Sequence, residues 1–172
     1  MLIHAVYPTP LGPVTLIADG ETLTALSFCP TGNMDKEDTI DSIEILDKSR
    51  CWLDLYFAGR QPDFLPPIRQ VGTPFQQRVW QALLDIPYGE TITYADLARR
   101  IGCRSAQAVG QAVGRNPIAI IIPCHRVVGS DGSMTGYAYG IERKEYLLAL
   151  ESKSPAAPLS QPHGSTVVRW LS

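Results

Sequence analysis

The sequence predicts two domains, a small α/β domain over residues 1–72 and a mainly helical domain over residues 73–152. Three observations support this fold class. Residues 3–30 alternate between apolar and polar character, which is typical of strands. Residues 61–71 are rich in proline, as expected for a linker at a domain boundary. Beyond Thr73 the apolar residues repeat at helical spacing instead.

Composition narrows the class of protein. Of 172 residues, 45% are hydrophobic and 19% are charged, as in a globular protein with a substantial core. No apolar run reaches the ~18 residues of a membrane helix, and the N-terminus lacks signal-peptide character, so we expect a cytoplasmic protein without membrane contact. The four cysteines, at positions 29, 51, 103 and 124, lack zinc-binding spacing and indicate reduced thiols and no metal.

The first domain contains strands and one helix. Asp19-Gly20 separates VTLIA from TLTALSF and predicts a hairpin. Residues 31–39 are polar and predict a loop. Apolar residues between positions 41 and 57 keep helical spacing, and Gly59 marks the stop.

The second domain begins with a capped helix. Thr73 and Gln76 have capping-box spacing around Pro74 at the first helical position. Two short helices follow, over residues 94–101 and from Ser105 to about position 114, and their tight connection predicts a helix-turn-helix.

The second of these helices carries small residues, namely Ala106, Ala108, Gly110, Ala112 and Gly114. Each glycine costs about 1 kcal/mol relative to alanine in a helix, so another interaction must compensate. A helix is ~10 Å across whereas the DNA minor groove is ~6 Å wide, so a face of alanine and glycine can enter a widened groove. Close packing inside the protein is the alternative explanation.

Charge is distributed unevenly. The net charge of −2 argues against binding nucleic acid by bulk electrostatics. However, residues 91–126 hold a single acid, Asp96, against five arginines, at positions 99, 100, 104, 115 and 126. This local excess indicates a face that binds phosphates briefly, although scattered solvated arginines would look the same.

Residues 118–128, IAIIIPCHRVV, carry the candidate chemistry. The apolar run predicts a buried strand that Pro123 bends at Cys124. Apolar surroundings raise the pKa of a thiol above ~8.5, so Cys124 needs a base. His125 can serve through the bend or a bridging water, and Glu151, at the end of a predicted helix, can orient it. A lone buried cysteine is otherwise more often an inert core residue.

The run Pro-Cys-His-Arg, with Asn116-Pro117 before it, resembles the active-site signature of the O6-alkylguanine-DNA alkyltransferases. The resemblance extends over residues 73–151, and a weaker similarity is found at TPLGP (9–13) and LYFAG (55–59). It implies a ribonuclease-H-like α/β domain followed by a winged-helix-like domain. It also implies a single-turnover methyltransferase that moves the alkyl group of O6-alkylguanine in DNA to its own cysteine without a cofactor, and it leaves transfer from O4-alkylthymine open.

The resemblance also implies roles for single residues. Cys124 would accept the alkyl group, Asn116 would brace the active-site turn, Arg126 would form a structural ion pair, and Tyr94 would flip the base and stabilise the leaving guanine. The pocket would be lined by Tyr94, Val127, Tyr137, Ala138 and Tyr139. The implied partner is alkylated double-stranded DNA, bound by a monomer in the minor groove through Arg104, Ala106, Gln107, Ala108, Gly110 and Arg115.

Two positions depart from the family pattern. Gln107 stands where the family places the arginine that fills the vacancy of the flipped base, which predicts weaker and less salt-sensitive DNA binding unless Arg104 takes that place. Tyr139 stands where many relatives carry glycine. Its phenol predicts a preference for small adducts such as methyl.

Three other functions remain open on the sequence alone. The first is a helix-turn-helix regulator with Cys124 as a redox sensor, although its second helix offers few side chains for major-groove readout. The second is a Cys-His hydrolase, for which no oxyanion hole is recognisable. The third is a non-repairing relative that binds alkylated DNA, against which the presence of Cys124 argues. The composition of residues 153–172 predicts disorder.

Overall fold

The computed structural model describes residues 2–28, 43–134 and 136–152. The predicted loop over 31–39 and the predicted disordered tail over 153–172 lie outside these residues. The chain divides into two compact units, Met1–Val71 with Pro117–Ile121, and Gly72–Asn116 with Ile122–Ser172. The first unit therefore includes five residues from within the span predicted for the second domain.

The first unit contains an antiparallel sheet in the order β1 (Ile3–Thr9), β2 (Gly12–Ala18) and β3 (Leu23–Ser27). The predicted hairpin about Asp19-Gly20 is confirmed, with Gly20 at a φ of +103° that favours glycine. One helix, α1 (Glu44–Phe57), supplies further core side chains.

The stretch that precedes Pro123 adds to this sheet without forming a strand. Leu26 donates its amide to the carbonyl of Pro117 at 2.9 Å, and Ala119 donates to the carbonyl of Leu26 at 3.0 Å. The chain then turns, because Ile121 donates to the carbonyl of Ala119 at 2.8 Å about Ile120, whose φ is +69°. The predicted extended strand was therefore wrong here, although the residues are buried as expected.

The second unit is mainly helical, with α2 (Pro74–Leu84), α3 (Tyr94–Arg100), α4 (Ala106–Gly114) and α5 (Ile141–Ser152). Two short parallel strands, β4 (Ile92–Thr93) and β5 (Val127–Val128), pair beside them. The helix starts follow the sequence signals. The side chains of Thr73, Thr93 and Ser105 each accept a main-chain N–H from the first turn of α2, α3 and α4, and the capping box at Thr73 is confirmed.

Two side chains of α2, the buried Trp80 and the exposed Arg78, form hydrogen bonds to the helix-turn-helix. Trp80 is buried, and its indole N–H donates to the carbonyl of Ala112 in α4 at 2.8 Å. Arg78 donates to the carbonyl of Ile101 at the end of α3. The position of α4 is thus fixed by hydrogen bonds as well as by apolar packing. None of the helices in the described ranges has the combination of length and apolar character that a membrane span requires.

Candidate active site

Cys124 begins a short 3₁₀ helix, Cys124–Arg126, directly after a tight turn. Pro123 has φ −82° and ψ 65°, and the amide of Cys124 donates to the carbonyl of Ile122 at 2.8 Å. These values describe an inverse γ-turn, in which proline fixes the central φ. The turn leaves the Cys124 residue 6% exposed, so the thiol lies below the surface of the second unit.

Glu151 lies at the base of the site. The carboxylate faces Nε2 of His125 through one oxygen and accepts a hydrogen bond from Nε of Arg126 at 2.7 Å through the other. The amide of Gly89 also donates to it, at 3.2 Å. Burial alone would raise the pKa of Glu151, but the hydrogen bonds from His125 and Arg126 and the positive charge of Arg126 outweigh burial and hold that pKa below its ordinary value. Glu151 is therefore an anion.

The negative charge of Glu151 determines which ring nitrogen of His125 carries the proton. The histidine is completely buried, and burial lowers the pKa of its imidazole, with the positive charges of Arg126 and Lys144 adding to the effect and Glu151 opposing it. A neutral imidazole beside a carboxylate donates its Nε2 proton to it. The lone pair then resides on Nδ1, which gives the ring the character of a base.

The side chains of Asn116 and Lys144 lower the pKa of the Cys124 thiol. Burial raises the pKa of Cys124, while the side chain of Asn116 and the positive charge of Lys144 oppose that rise. Asn116 also donates to the carbonyl of Ile122 at 2.8 Å, so it braces the turn before the nucleophile. The thiolate is thus disfavoured by its surroundings and supported by two specific partners.

Lys144 is the site residue that the sequence reasoning missed. Its side chain is fully buried, and its ammonium group donates to the carbonyl of Val127 at 2.6 Å. Burial lowers its pKa to about 8. A signal was present in the sequence, because Lys144 and Glu151 share one helical stripe with Leu147 and Leu148.

Arg126 has three partners in addition to its place in the 3₁₀ helix. Besides Glu151, it donates to the carbonyl of Ile86 at 2.8 Å and lies over the ring of Tyr88, 5.6 Å from its centroid. These contacts fix the position of Arg126 and, through it, of the Glu151 carboxylate.

Two of the predicted pocket tyrosines, Tyr94 and Tyr137, lie close enough to Cys124 to interact with it electrostatically. Burial, and then the nearby charge of Cys124, raise the pKa of both Tyr94 and Tyr137. The hydroxyl of Tyr137 is buried and meets no hydrogen-bond partner in the described part of the chain. Tyr139 packs edge-to-face on Tyr137 with the ring centroids 5.7 Å apart, while Ala138 between them is exposed.

The residues predicted to bind DNA lie at the surface around α4. Arg104, Ala106, Gln107 and Arg115 are exposed, whereas Ala108 and Gly110 are half-buried. A Cβ atom at Gly110 would lie 3.7 Å from the ring of Tyr94, whereas one at Gly114 would meet nothing within 4 Å. The small residues of α4 thus allow close packing at Gly110 and leave an open surface at Ala106 and Gly114.

Sequence models of two domains match this chain. Residues 2–70 match the ribonuclease-like domain of 6-O-methylguanine DNA methyltransferase, and residues 74–153 match its DNA binding domain. The chain belongs to the 6-O-methylguanine DNA methyltransferase family. The resemblance and the fold class predicted from the sequence are thereby confirmed.

Relatives in this methyltransferase family are similar over most of their length. A methylated-DNA–protein-cysteine methyltransferase of Methanosarcina acetivorans is 42% identical, with 87% of this chain and 98% of the relative covered. Its counterpart from Mycobacterium bovis is 45% identical, with 91% and 96% covered.

Solved structures of the family have the same fold. The Mycobacterium tuberculosis O6-methylguanine methyltransferase superposes with a TM-score of 0.81 at 42% identity, covering 93% of this chain and 98% of that one. The Mycobacterium tuberculosis OGT in complex with DNA superposes with a TM-score of 0.78 at 43% identity, covering 90% and 95%.

Proposed function

We propose that this chain repairs alkylated DNA by moving the alkyl group from O6 of guanine to the sulfur of Cys124, once and irreversibly. One observation carries the proposal. The nearly inaccessible thiol of Cys124 directly follows a fixed turn, and the next residue, a neutral His125, is oriented by the carboxylate of Glu151. The relatives named for transfer of methyl groups from DNA to a protein cysteine support it.

DNA is the partner, and we place α4 in its minor groove. The exposed Ala106, the half-buried Ala108 and the open surface at Gly114 leave room for the groove walls. Arg104 and Arg115 would contact phosphates, and Gln107 would fill the space of the displaced base. Because Cys124 is only 6% exposed, the damaged nucleotide must leave the stack to meet it. One copy of the chain would suffice for this contact, so we propose a monomer.

The chemistry is an in-line displacement at the alkyl carbon. The proton of Cys124 passes to Nδ1 of His125 by way of a bridging water, while Glu151 stabilises the imidazolium that results. The sulfur–carbon bond forms as the carbon–O6 bond breaks, and the bonding electrons stay on guanine. Guanine then takes up a proton, so the net change exchanges the thiol hydrogen for the alkyl group.

The remaining site residues would support this displacement. Lys144 and Asn116 stabilise the thiolate, and the Tyr94 hydroxyl donates toward the charge that develops on guanine. Val127, Tyr137, Ala138 and Tyr139 would enclose the base and its adduct. Such a nucleophile requires a reducing compartment, which the cytoplasm supplies.

Incubation with an oligonucleotide that contains O6-methylguanine, followed by intact mass measurement, tests the proposal. We expect a gain of about 14 Da per chain that stops at one equivalent. Cys124→Ala should abolish the gain, whereas Cys51→Ala and Cys103→Ala, which remove other free thiols, should not. Continued turnover would indicate a hydrolase, and absence of any mass gain would contradict the proposal.

A further inference from the structure

The hydroxyl of Tyr94 lies against a glycine of the loop that precedes α5. A Cβ atom built on Gly136 would lie 2.9 Å from this hydroxyl oxygen and 3.7 Å from Cζ of the same ring. Carbon atoms normally approach other heavy atoms no closer than about 3.5 Å without repulsion. Any side chain at position 136 would therefore displace the end of Tyr94.

Gly110 lies on another part of the same ring. A Cβ atom there would be 3.7 Å from Cδ1 and 3.8 Å from Cε1 of Tyr94, which is ordinary contact distance. The phenol is thus packed near α4 at its ring carbons and near the loop at its oxygen. A push on the oxygen would have to be taken up by rotation of the whole side chain, because the ring is rigid.

Gly136 and Gly140, four residues apart, differ in the space available for a side chain. Both have a left-handed backbone, with φ of +84° and +99° respectively. A Cβ atom at Gly140 would meet nothing within 4 Å. The backbone alone favours glycine at Gly140, whereas at Gly136 the hydroxyl of Tyr94 excludes a side chain as well.

We propose that Gly136 is a positioning residue for Tyr94, because its missing side chain keeps the hydroxyl where it can serve the displaced guanine. The inference rests on the proposed function, in which Tyr94 acts on that base. Relief of the overlap would shift the oxygen by about 0.6 Å, from 2.9 Å to normal contact. Sites tolerate about 0.5 Å of error in such a group, and a shift of about 1 Å can cost a hundredfold in rate.

Single-turnover transfer rates at saturating alkylated DNA test the inference in four proteins: the wild type, Gly136→Ala, Tyr94→Phe and the double variant. We expect Gly136→Ala to slow transfer about tenfold in the wild-type background. In the Tyr94→Phe background, where the oxygen is gone, the same change should alter the rate less than about twofold. Gly140→Ala, with backbone strain alone, should stay within about twofold of the wild type.

An equal slowing by Gly136→Ala in both backgrounds would overturn the inference, as would no slowing at all.

Thermal unfolding of the same proteins without DNA distinguishes failure of this inference from failure of the proposed function. We expect Gly136→Ala to lower the Tm more than Gly140→Ala does, and the excess to vanish with Tyr94→Phe. If the wild type transfers no alkyl group but this coupling is seen, the proposed function fails and the contact stands; if it transfers and no coupling is seen, only the inference fails.

Discussion

Lys144 donates its ammonium group to the main-chain carbonyl of Val127 at 2.6 Å, and neither residue is exposed. A buried cation with a carbonyl as its hydrogen-bond partner is costly, because a neutral dipole replaces water only in part. The same charge opposes the rise in the pKa of Cys124. We infer that the cost is retained because it makes the thiol more acidic.

Replacement of this lysine should show the effect directly. Lys144→Met keeps the length of the side chain and removes its charge, so the pKa of Cys124 should rise and transfer at neutral pH should slow by about tenfold or more. The rate profile should shift to higher pH. Lys48→Met removes an exposed lysine and serves as the control. An unchanged pH profile would show that the charge does not act on the thiol.

Stability supplies a second readout for the same variant. Burial lowers the pKa of Lys144 from 10.5 to about 8, so between these values the unfolded chain binds more protons than the folded one. Unfolding free energy must then rise with pH across this window. Denaturation at several pH values should show the wild type gaining stability relative to Lys144→Met between about pH 8 and about pH 10.5.

Glu151→Gln should damage both stability and rate. The neutral amide leaves the charge of Arg126 without its buried counterion, and we expect a loss of about 3 kcal/mol in the free energy of unfolding. It also weakens the control of the His125 tautomer, so transfer should slow at least about tenfold. Glu145→Gln, at an exposed position of α5, is the matched control. A stability loss with an unchanged rate would assign Glu151 a structural role only.

Tyr139→Gly should widen the range of adducts. The edge-to-face contact with Tyr137 holds the Tyr139 ring near the predicted pocket, where it would obstruct bulky groups. We expect faster reaction with O6-benzylguanine and little change with O6-methylguanine. Mass spectrometry of Cys124 after timed incubation measures both. Equal rates of benzyl transfer in the two proteins would refute the size-filter hypothesis.

Gln107→Arg should strengthen DNA binding. Gln107 is exposed at the start of α4, where an added positive charge can reach a phosphate or the vacated base position. Affinity should rise, and the slope of log affinity against log salt should steepen by about one. Gln77→Arg, on the exposed side of α2, controls for net charge. If titrations give the same slope for Gln107→Arg and the wild type, Gln107 is not at the interface.

Local chemistry explains which parts of the fold were predictable. The caps at Thr73, Thr93 and Ser105 depend on contacts within one helical turn, and the capping box at Thr73 and the helix start at Ser105 were predicted from those residues. The run before Pro123 was not, since apolar residues mark burial without distinguishing a strand from buried turns. A φ of +69° at Ile120 contradicts the preference of a β-branched residue and costs about 1–3 kcal/mol, which surrounding contacts must supply.

The site was predictable where a motif existed. Cys124 and His125 are adjacent in the sequence, and Glu151 was a candidate because it ends a predicted helix and a histidine base is normally oriented by a carboxylate. Lys144 was missed because a lysine in a helix is normally solvated, although it shares one helical stripe with Leu147 and Leu148, which are buried in the structure. The place of Gly110 beside Tyr94 depends on how α3 meets α4, which neither sequence segment specifies alone.

The distance along the chain between His125 and Glu151 has a consequence for synthesis. The carboxylate that orients the imidazole lies 26 residues beyond it, in the last turn of α5. A ribosome therefore exposes the sulfur before it exposes the group that completes its activation. A nascent polypeptide that stalls between His125 and Glu151 would carry Cys124 without the carboxylate that orients its base. Its thiol would therefore not be activated for alkyl transfer before translation had passed α5.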